Sequence, residues 1–133
     1  MKKTLTNSEV EAYVATLSAP DSFMRTLRMP QAARQAIRVN LKTLTDRLRV
    51  YEEGRKDILD QAVKAGKAKE KTTGRYTIPP EHQSDVNKDL RDLAEVKNEL
   101  SIECFDVDAI LESNDLTLAE EDVILFFKKG AED

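Results

Sequence analysis

The stretch that decides the fold runs from residue 30 to residue 66 and reads PQAARQAIRVNLKTLTDRLRVYEEGRKDILDQAVKAG. Apolar residues recur in it at alternating steps of four and three, with one break at Arg55: Ile37, Leu41, Leu44, Leu48, Tyr51, Ile58 and Ala62. This heptad stripe predicts a single long amphipathic helix. Pro30 suits its first turn and Gly66 suits its end. Such a helix would be about 50 Å long.

A second helix is predicted over about residues 81–100, with one apolar face formed by Val86, Leu90, Leu93, Val96 and Leu100. Between the two helices, residues 67–73 are polar and rich in lysine, which indicates an exposed loop. Residues 75–78 form a brief predicted strand, and two prolines close it. Each apolar face needs a partner, and the other face is the nearest one. We therefore expect an antiparallel helical hairpin.

Shorter elements flank this hairpin. Capping boxes at Thr6–Glu9 and Thr117–Glu120 predict the starts of two short helices. Residues 3–6 could form a short strand, and the β-leaning run 101–107 could pair with it, although the sequence leaves that pairing open. Residues 106–115 are acidic and are interpreted as a turn.

These elements define the expected fold class, mainly α (α+β). It is a long-helix antiparallel hairpin with short flanking helices and a small two- or three-stranded β element. The chain of 133 residues is expected to be a single domain, 1–133. Its parts are the long helix at about 30–66, a loop and short strand at 67–80, and the second helix at about 81–100. A β-leaning run and a short C-terminal helix fill 101–129.

Charge is divided unevenly along the chain, although the net charge is only −4. Residues 21–71 contain 13 Lys/Arg and 7 Asp/Glu, a balance of +6, whereas residues 81–133 contain 5 and 16, a balance of −11. Such segregation marks a partner surface or, alternatively, two halves that pack on and offset each other. The single cysteine and the lack of an apolar run of about 20 residues indicate a cytoplasmic protein that does not enter membranes.

The sequence gives no grounds for catalysis. Its one histidine, His82, follows two prolines at a predicted helix start, which is typical of a surface residue. Cys104 lies in an apolar run and is interpreted as a small buried hydrophobe rather than a nucleophile. One His and one Cys are too few for a zinc site. We expect no catalytic residue and no enzyme activity.

Ligand sites are likewise not predicted. Asp106 and Asp108 begin like a calcium loop, but Ala109, Ile110 and Leu111 follow, so the alternating oxygen ligands stop after two. The four glycines are too scattered to form a phosphate-binding loop. No metal, no cofactor and no small-molecule substrate are expected.

Two charged groups are candidate partner-binding sites. Arg34, Arg38 and Lys42 recur every fourth residue and so share one helix face, where a row of cations could contact phosphates. Asp46 and Glu53 interrupt the row and no aromatic residue accompanies it, so nucleic acid is an unfavoured partner. The second group is acidic and could occupy a nucleic-acid-binding groove of another protein: Asp106, Asp108, Glu112 and Asp115.

The order of these elements resembles a family of small bacteriophage-encoded helical proteins of uncharacterised function. The similar pieces are Val39-Asn40-Leu41-Lys42, Tyr51-Glu52-Glu53-Gly54-Arg55 and Val86-Asn87-Lys88-Asp89-Leu90, with the β-leaning run and Thr117-Leu118 beyond. The resemblance spans most of residues 30–125. It implies a phage origin, a place in the host bacterial cytoplasm, and either assistance in virion assembly or binding of a host protein.

The expected function is a non-enzymatic phage-type module that acts by protein–protein interaction with a host or phage protein. The first alternative is a counter-defence inhibitor whose acidic half blocks the nucleic-acid-binding groove of a host nuclease. The second is a weak nucleic-acid binder that uses the basic helix face. Because the heptad stripe is longer than its partner helix, a homodimer is also expected to cover the remaining apolar surface.

Overall fold

The computed structural model describes residues 1–128 and is mainly helical. Its elements, in chain order, are β1 (Lys2–Thr6), α1 (Asn7–Ser18), a 3₁₀ turn (Phe23–Arg25), α2 (Gln31–Lys64), β2 (Lys69–Thr72), β3 (Arg75–Thr77), α3 (Pro80–Ala94), β4 (Lys97–Ser101), α4 (Asp108–Ser113) and α5 (Leu118–Leu125). The predicted class, α+β with one long helix and small antiparallel sheets, is confirmed. No helix within residues 1–128 has both the length and the apolar character needed to cross a membrane.

Helix α2 is continuous over 34 residues, or about 50 Å at the α-helical rise. Pro30 occupies its N-cap position in an extended conformation, one residue before the predicted first turn. At the other end Gly66 has φ +77°. The Lys67 N–H donates to the Ala62 carbonyl at 2.8 Å, and the Gly66 N–H donates to the Val63 carbonyl at 3.1 Å. This is a Schellman motif, which needs a residue such as glycine in the left-handed region.

The heptad stripe on α2 packs largely against other parts of the same chain. Its N-terminal part joins the main core, in which Leu44 is fully buried and α1 supplies Val10 and Leu17. Its C-terminal part forms a second, smaller cluster around Ala62 and Val86. Contacts within the chain therefore take up most of the apolar surface on which the homodimer expectation rests, and the homodimer stays a prediction.

Arg55, the break in the stripe, joins α2 to α1. Its guanidinium lies 4.4 Å from the ring centroid of Tyr51 and forms an ion pair of 2.9 Å with Glu11 on α1. Tyr51 is only 6% exposed, so the guanidinium covers an otherwise apolar ring. Arg55 therefore interrupts the apolar stripe but forms a contact between α2 and α1.

Gly54 allows α3 to approach α2 closely. A Cβ at residue 54 would lie 3.0 Å from Cδ2 and 3.4 Å from Cδ1 of Leu93 on α3. Helix α2 passes through Gly54 without a break. Glycine costs an exposed helix roughly 1 kcal/mol relative to alanine, and here its missing side chain provides the space that Leu93 fills.

The second helix is shorter than predicted, because α3 ends at Ala94 and residues 97–101 form a strand. β4 pairs antiparallel with β1, with Lys2 opposite Ser101 and Thr6 opposite Lys97. A pairing with the N-terminal segment does exist, but it lies upstream of the predicted run 101–107. That run contributes the backbone pair of Ile102 with Met1 and an isolated bridge from Phe105 to Lys128.

Asn7 is the physical reason for the earlier helix end. Its side chain is 5% exposed, and Nδ2 donates to the Leu93 carbonyl at 2.8 Å. The Asn7 N–H donates to the Val96 carbonyl at 3.0 Å, and Asn98 Nδ2 donates to Asn7 Oδ1 at 2.9 Å. These bonds satisfy carbonyls that a longer helix would have used internally, and they redirect the chain into β4.

Two other predictions are wrong. Residues 67–73 are not only a loop, because β2 (Lys69–Thr72) pairs with β3 across a turn in which Gly74 has φ +81°. Residues 106–115 are not a continuous turn, because α4 occupies Asp108–Ser113 and buries Ile110 completely. The sequence pattern does not indicate either element, because every residue of β2 is exposed and α4 buries only Ile110. Both capping boxes are confirmed.

Candidate functional site

Two side chains of the predicted basic row lie in a groove beside α2, which we call the arginine groove. Its volume is about 190 Å³, and three arginines line it: Arg25, Arg34 and Arg38. The rest of the lining is apolar: Leu17, Met24, Met29, Ile37 and Leu41. The groove combines cations with an apolar surface, and methionine side chains adapt readily to irregular partners.

Backbone carbonyls hold two of these arginines in place. Arg25 Nε donates to the Ala19 carbonyl at 3.0 Å, and Arg34 Nη2 donates to the Leu27 carbonyl at 3.1 Å. Arg25 thereby caps the C-terminal end of α1, and Arg34 fixes the connector in front of α2. A guanidinium has five N–H donors, so both arginines keep donors for a partner. Their positions are set before any partner binds.

The remaining two members of the row, Arg38 and Lys42, differ from each other. Arg38 is exposed and makes no hydrogen bond or ion pair with another residue of the described chain. Lys42 Nζ lies 3.2 Å from Asp46 Oδ2 one turn further along α2. Asp46 balances the charge of Lys42, and Lys42 does not line the arginine groove. Of the predicted row of three cations, only Arg34 and Arg38 therefore belong to the groove.

The predicted acidic group surrounds α4 and is exposed at every position. Asp108 and Glu112 are four residues apart on α4 and share one face. Asp106 Oδ1 accepts the Asp108 N–H at 3.0 Å, and Lys128 Nζ lies 4.0 Å from Asp108 Oδ1. Asp115 follows the helix. The structure thus leaves this group in solvent, with one long ion pair.

The basic and acidic halves do not neutralise each other through ion pairs. Among the described residues, a single bridge joins residues 21–71 to residues 81–128, between Lys67 and Asp85 at 3.6 Å. Apolar contacts make up the α2–α3 interface instead, including those of the small cluster around Ala62 and Val86. Both charged surfaces therefore remain available to partners.

The Lys67–Asp85 bridge lies in a second groove, which sequence reasoning missed. It lies between α2 and α3, has a volume of about 430 Å³, and is lined partly by Asp57, Asp85 and Asp89. Ala62 and Val86 form part of its floor. Asp85 and Asp89 are four residues apart on α3, but Asp57 lies on α2, so no local pattern could have grouped all three.

His82 and Cys104, considered above as candidate catalytic residues, both lie within residues 1–128, the part of the chain that the structure describes. His82 is half-buried near the start of α3, where its N–H donates to the Pro79 carbonyl at 2.9 Å. Cys104 is half-buried rather than fully buried, and its Sγ lies 3.5 Å from Met1 Sδ. No cluster of three or more His, Cys, Asp or Glu residues in this part of the chain is arranged to hold a metal ion.

No protein-family model, curated protein or solved structure matches this chain. The resemblance to small phage proteins therefore stays an expectation from the quoted motifs.

Proposed function

We propose that this chain is a non-enzymatic protein-binding module whose arginine groove takes an acidic segment with apolar side chains from a host or phage protein. The observation that carries the proposal is the groove itself, in which three guanidinium groups surround an apolar floor. Carboxylates pair well with guanidinium groups, often through two parallel hydrogen bonds. Phage origin and action in the host cytoplasm remain part of the proposal, as the motif resemblance implies.

The fixed arginines favour protein over nucleic acid as the partner. Arg25 and Arg34 are already anchored by carbonyls, so binding costs them little rotamer entropy. The apolar floor suits Leu, Phe or Met side chains, whereas a phosphate backbone gains nothing from it. With Lys42 paired to Asp46, the cationic row is also too short for a phosphate track. A nucleic-acid partner is therefore the less favoured alternative.

The experiment is affinity capture from host lysate with nuclease treatment, using wild-type protein, Arg38→Glu and the matched control Arg49→Glu. Both substitutions reverse an exposed arginine on α2, and Arg49 lies outside the groove. The proposal expects a captured protein that survives nuclease, is lost with Arg38→Glu, and is retained with Arg49→Glu. Equal loss with both variants, or loss on nuclease treatment, would contradict it.

A second candidate function is the inhibitor whose acidic half occupies a nucleic-acid-binding groove of a host nuclease. The exposed group around α4 supports it, because its charge is not balanced by the basic half. Replacing Asp106, Asp108, Glu112 and Asp115 together by lysine should then abolish capture of the nuclease. In the wild-type protein the affinity should fall steeply with salt. Affinity unchanged by the four substitutions would eliminate this function.

Self-association is tested separately from partner binding. If a homodimer forms, sedimentation velocity at tens of micromolar will show a species of twice the 15.0 kDa chain mass. A monomer under those conditions would remove the homodimer from the proposal and leave the partner-binding function intact.

A further inference from the structure

We infer that the outer edge of β4 accepts an extended segment of another protein as a third, antiparallel strand. The residues that carry this inference are Lys97, Glu99 and Ser101, which point their backbone groups away from β1. This surface lies on a different flank of α2 from the arginine groove and is independent of it. The expected partner segment alternates polar or charged residues with apolar ones.

The register of the β1–β4 pair shows which backbone groups are free. Ile102 and Met1 exchange both of their backbone hydrogen bonds, at 2.8 and 3.2 Å, and Asn7 donates to the Val96 carbonyl at 3.0 Å. In an antiparallel ladder the bonded pairs alternate, so Leu100 and Asn98 also face β1. The N–H and C=O groups of the three residues between them therefore face outward.

These outward groups have no partner in the described chain. No backbone or side-chain hydrogen bond joins the N–H or C=O of Lys97, Glu99 or Ser101 to another of residues 1–128. Each of the three residues is exposed. An open edge of this kind is a template for strand addition, in which main-chain bonds supply the affinity.

Glu103 is the next residue whose backbone groups face outward, and the side chain of Asn40 already bonds both of these groups. Asn40 Nδ2 donates to the Glu103 carbonyl at 2.9 Å, and the Glu103 N–H donates to Asn40 Oδ1 at 2.7 Å. The side-chain amide reproduces the bonds that a neighbouring strand would make. An added strand therefore ends opposite Ser101, and the free stretch runs from there to Lys97.

Helix α2 forms the far wall of the space beside this edge. A groove of about 400 Å³ lies between Leu100 of β4 and Thr43, Asp46, Arg47 and Val50 of α2. Val50 is 58% exposed, which is unusual for a valine that flanks a core. A strand bonded to β4 would place every second side chain against this wall, in which Val50 is apolar and Thr43, Asp46 and Arg47 are polar. The strand supplies hydrogen bonds, and the helix supplies side-chain contacts.

Charges on β4 specify the sequence of the partner segment. Side chains of Lys97, Glu99 and Ser101 share the exposed face of the sheet, and directly opposed residues on a face interact. Read from its N-terminus, an antiparallel partner has a polar residue opposite Ser101, a basic residue opposite Glu99 and an acidic residue opposite Lys97. The two residues between these positions face the groove, where Leu100 and Val50 favour apolar side chains.

The experiment uses two labelled synthetic peptides of the same composition, one with the core Thr-Val-Lys-Val-Glu and one with the charge-exchanged core Thr-Val-Glu-Val-Lys. Fluorescence anisotropy measures their affinities at low salt. The charge-exchanged peptide replaces two opposite-charge pairs with two like-charge pairs, so it should bind about tenfold more weakly than the first peptide. The double variant Lys97→Glu/Glu99→Lys should reverse the preference. It disturbs only a 4.0 Å surface pair with Lys2, so it should fold.

Amide hydrogen exchange provides the second readout. Bound peptide should protect the amides of Lys97, Glu99 and Ser101, while the Leu100 amide is protected with or without peptide. The inference is overturned if neither peptide binds, if both bind equally, or if the three amides stay unprotected in the complex. Protection that increases with protein concentration alone would identify a second copy as the occupant, and would also overturn it.

Discussion

Asn40 and Glu103 form a two-bond pair between the N-terminal third of the long helix and the segment after β4. Asn40 is completely buried, and its amide both donates to and accepts from the Glu103 backbone, at 2.9 and 2.7 Å. A buried amide with both groups satisfied fixes two elements in one relative position. The pair therefore locks α2 to the β sheet, and it does so 63 residues apart in sequence.

Replacing Asn40 by alanine should lower the free energy of unfolding by about 2 kcal/mol, since two hydrogen bonds are lost and a small void remains. Asn40→Asp should be at least as damaging, because the carboxylate cannot donate to the Glu103 carbonyl and is buried when charged. Urea unfolding measures both. Thr45→Ala, at an exposed position of the same helix, is the control. An Asn40→Ala protein as stable as this control would contradict the prediction.

The contact between Gly54 and Leu93 predicts coupling between two substitutions. In wild-type protein, the added methyl group of Gly54→Ala meets Leu93 at 3.0 Å, which offsets the gain of about 1 kcal/mol in helix propensity. In a Leu93→Ala background the space is free and the full gain should appear. A double-mutant cycle by urea unfolding tests this. Equal effects of Gly54→Ala in both backgrounds would show that the close approach has no energetic consequence.

The carboxylate of Asp60 should hold the β2–β3 hairpin on α2 in a pH-dependent way. It accepts hydrogen bonds from Lys56 at 2.9 Å and from the Tyr76 hydroxyl at 2.7 Å. These bonds, first the one from Lys56, hold the pKa of Asp60 below its ordinary 3.8, and the bond to Asp60 raises the pKa of Tyr76. Since the folded pKa of Asp60 is depressed, its contribution is present above pH 3.8 and is lost as pH falls through the folded value.

Hydrogen exchange of the hairpin amides should therefore be steady from pH 7 to about 4 after correction for intrinsic rates, and should accelerate below that range. Tyr76→Phe removes one of the two bonds, so the Asp60 pKa, read from its carboxyl ¹³C shift, should move back up. Asp60→Asn should expose the hairpin amides at neutral pH. An Asp60 pKa unmoved by Tyr76→Phe would show that the hydroxyl does not stabilise the carboxylate.

Asn7 should be more important to stability than its position in the first turn of α1 suggests. It donates to the Leu93 carbonyl at 2.8 Å and accepts from Asn98 at 2.9 Å, so Asn7→Ala removes two short hydrogen bonds from a buried site. The Leu93 carbonyl then keeps only its 3.2 Å bond from the Val96 N–H. We expect a loss of about 2 kcal/mol by chemical denaturation. Ser8→Ala, at the exposed neighbouring position, should cost much less. A comparable loss for the two variants would assign the effect to helix initiation instead.

Features encoded by neighbouring residues could be predicted from the sequence. The Thr6–Glu9 and Thr117–Glu120 capping boxes need residues only three apart, and the stripe on α2 repeats over many turns, so both were readable. The end of α3 could not be read, because Leu100 lies seven residues after Leu93 and continues the helical spacing by coincidence. At this point the Leu93 and Val96 carbonyls accept hydrogen bonds from the side chain and the backbone of Asn7, which no local pattern indicates because Asn7 lies 86 residues before Leu93.

The same distinction applies to the candidate sites. Spacing on one helix placed Arg34 and Arg38 together, and both line the arginine groove. Arg25, Met24 and Met29 complete that groove from the connector, whose path depends on contacts with the end of α1, so no local pattern indicated them. The open edge of β4 was hidden for a similar reason, since its strand was assigned to a helix.

The pairing of Lys2 with Ser101 has a consequence for the order in which the chain folds during synthesis. The first strand leaves the ribosome before all of α1 and α2, but its partner emerges only when most of the chain has been made. Helix α2 can form through local contacts, whereas the sheet must join residues as far as 99 positions apart, such as Lys2 and Ser101. Sheet closure is therefore a late event, and until then β1 lacks its partner strand. Nascent chains that stall before residue 97 should be the ones that most need a chaperone.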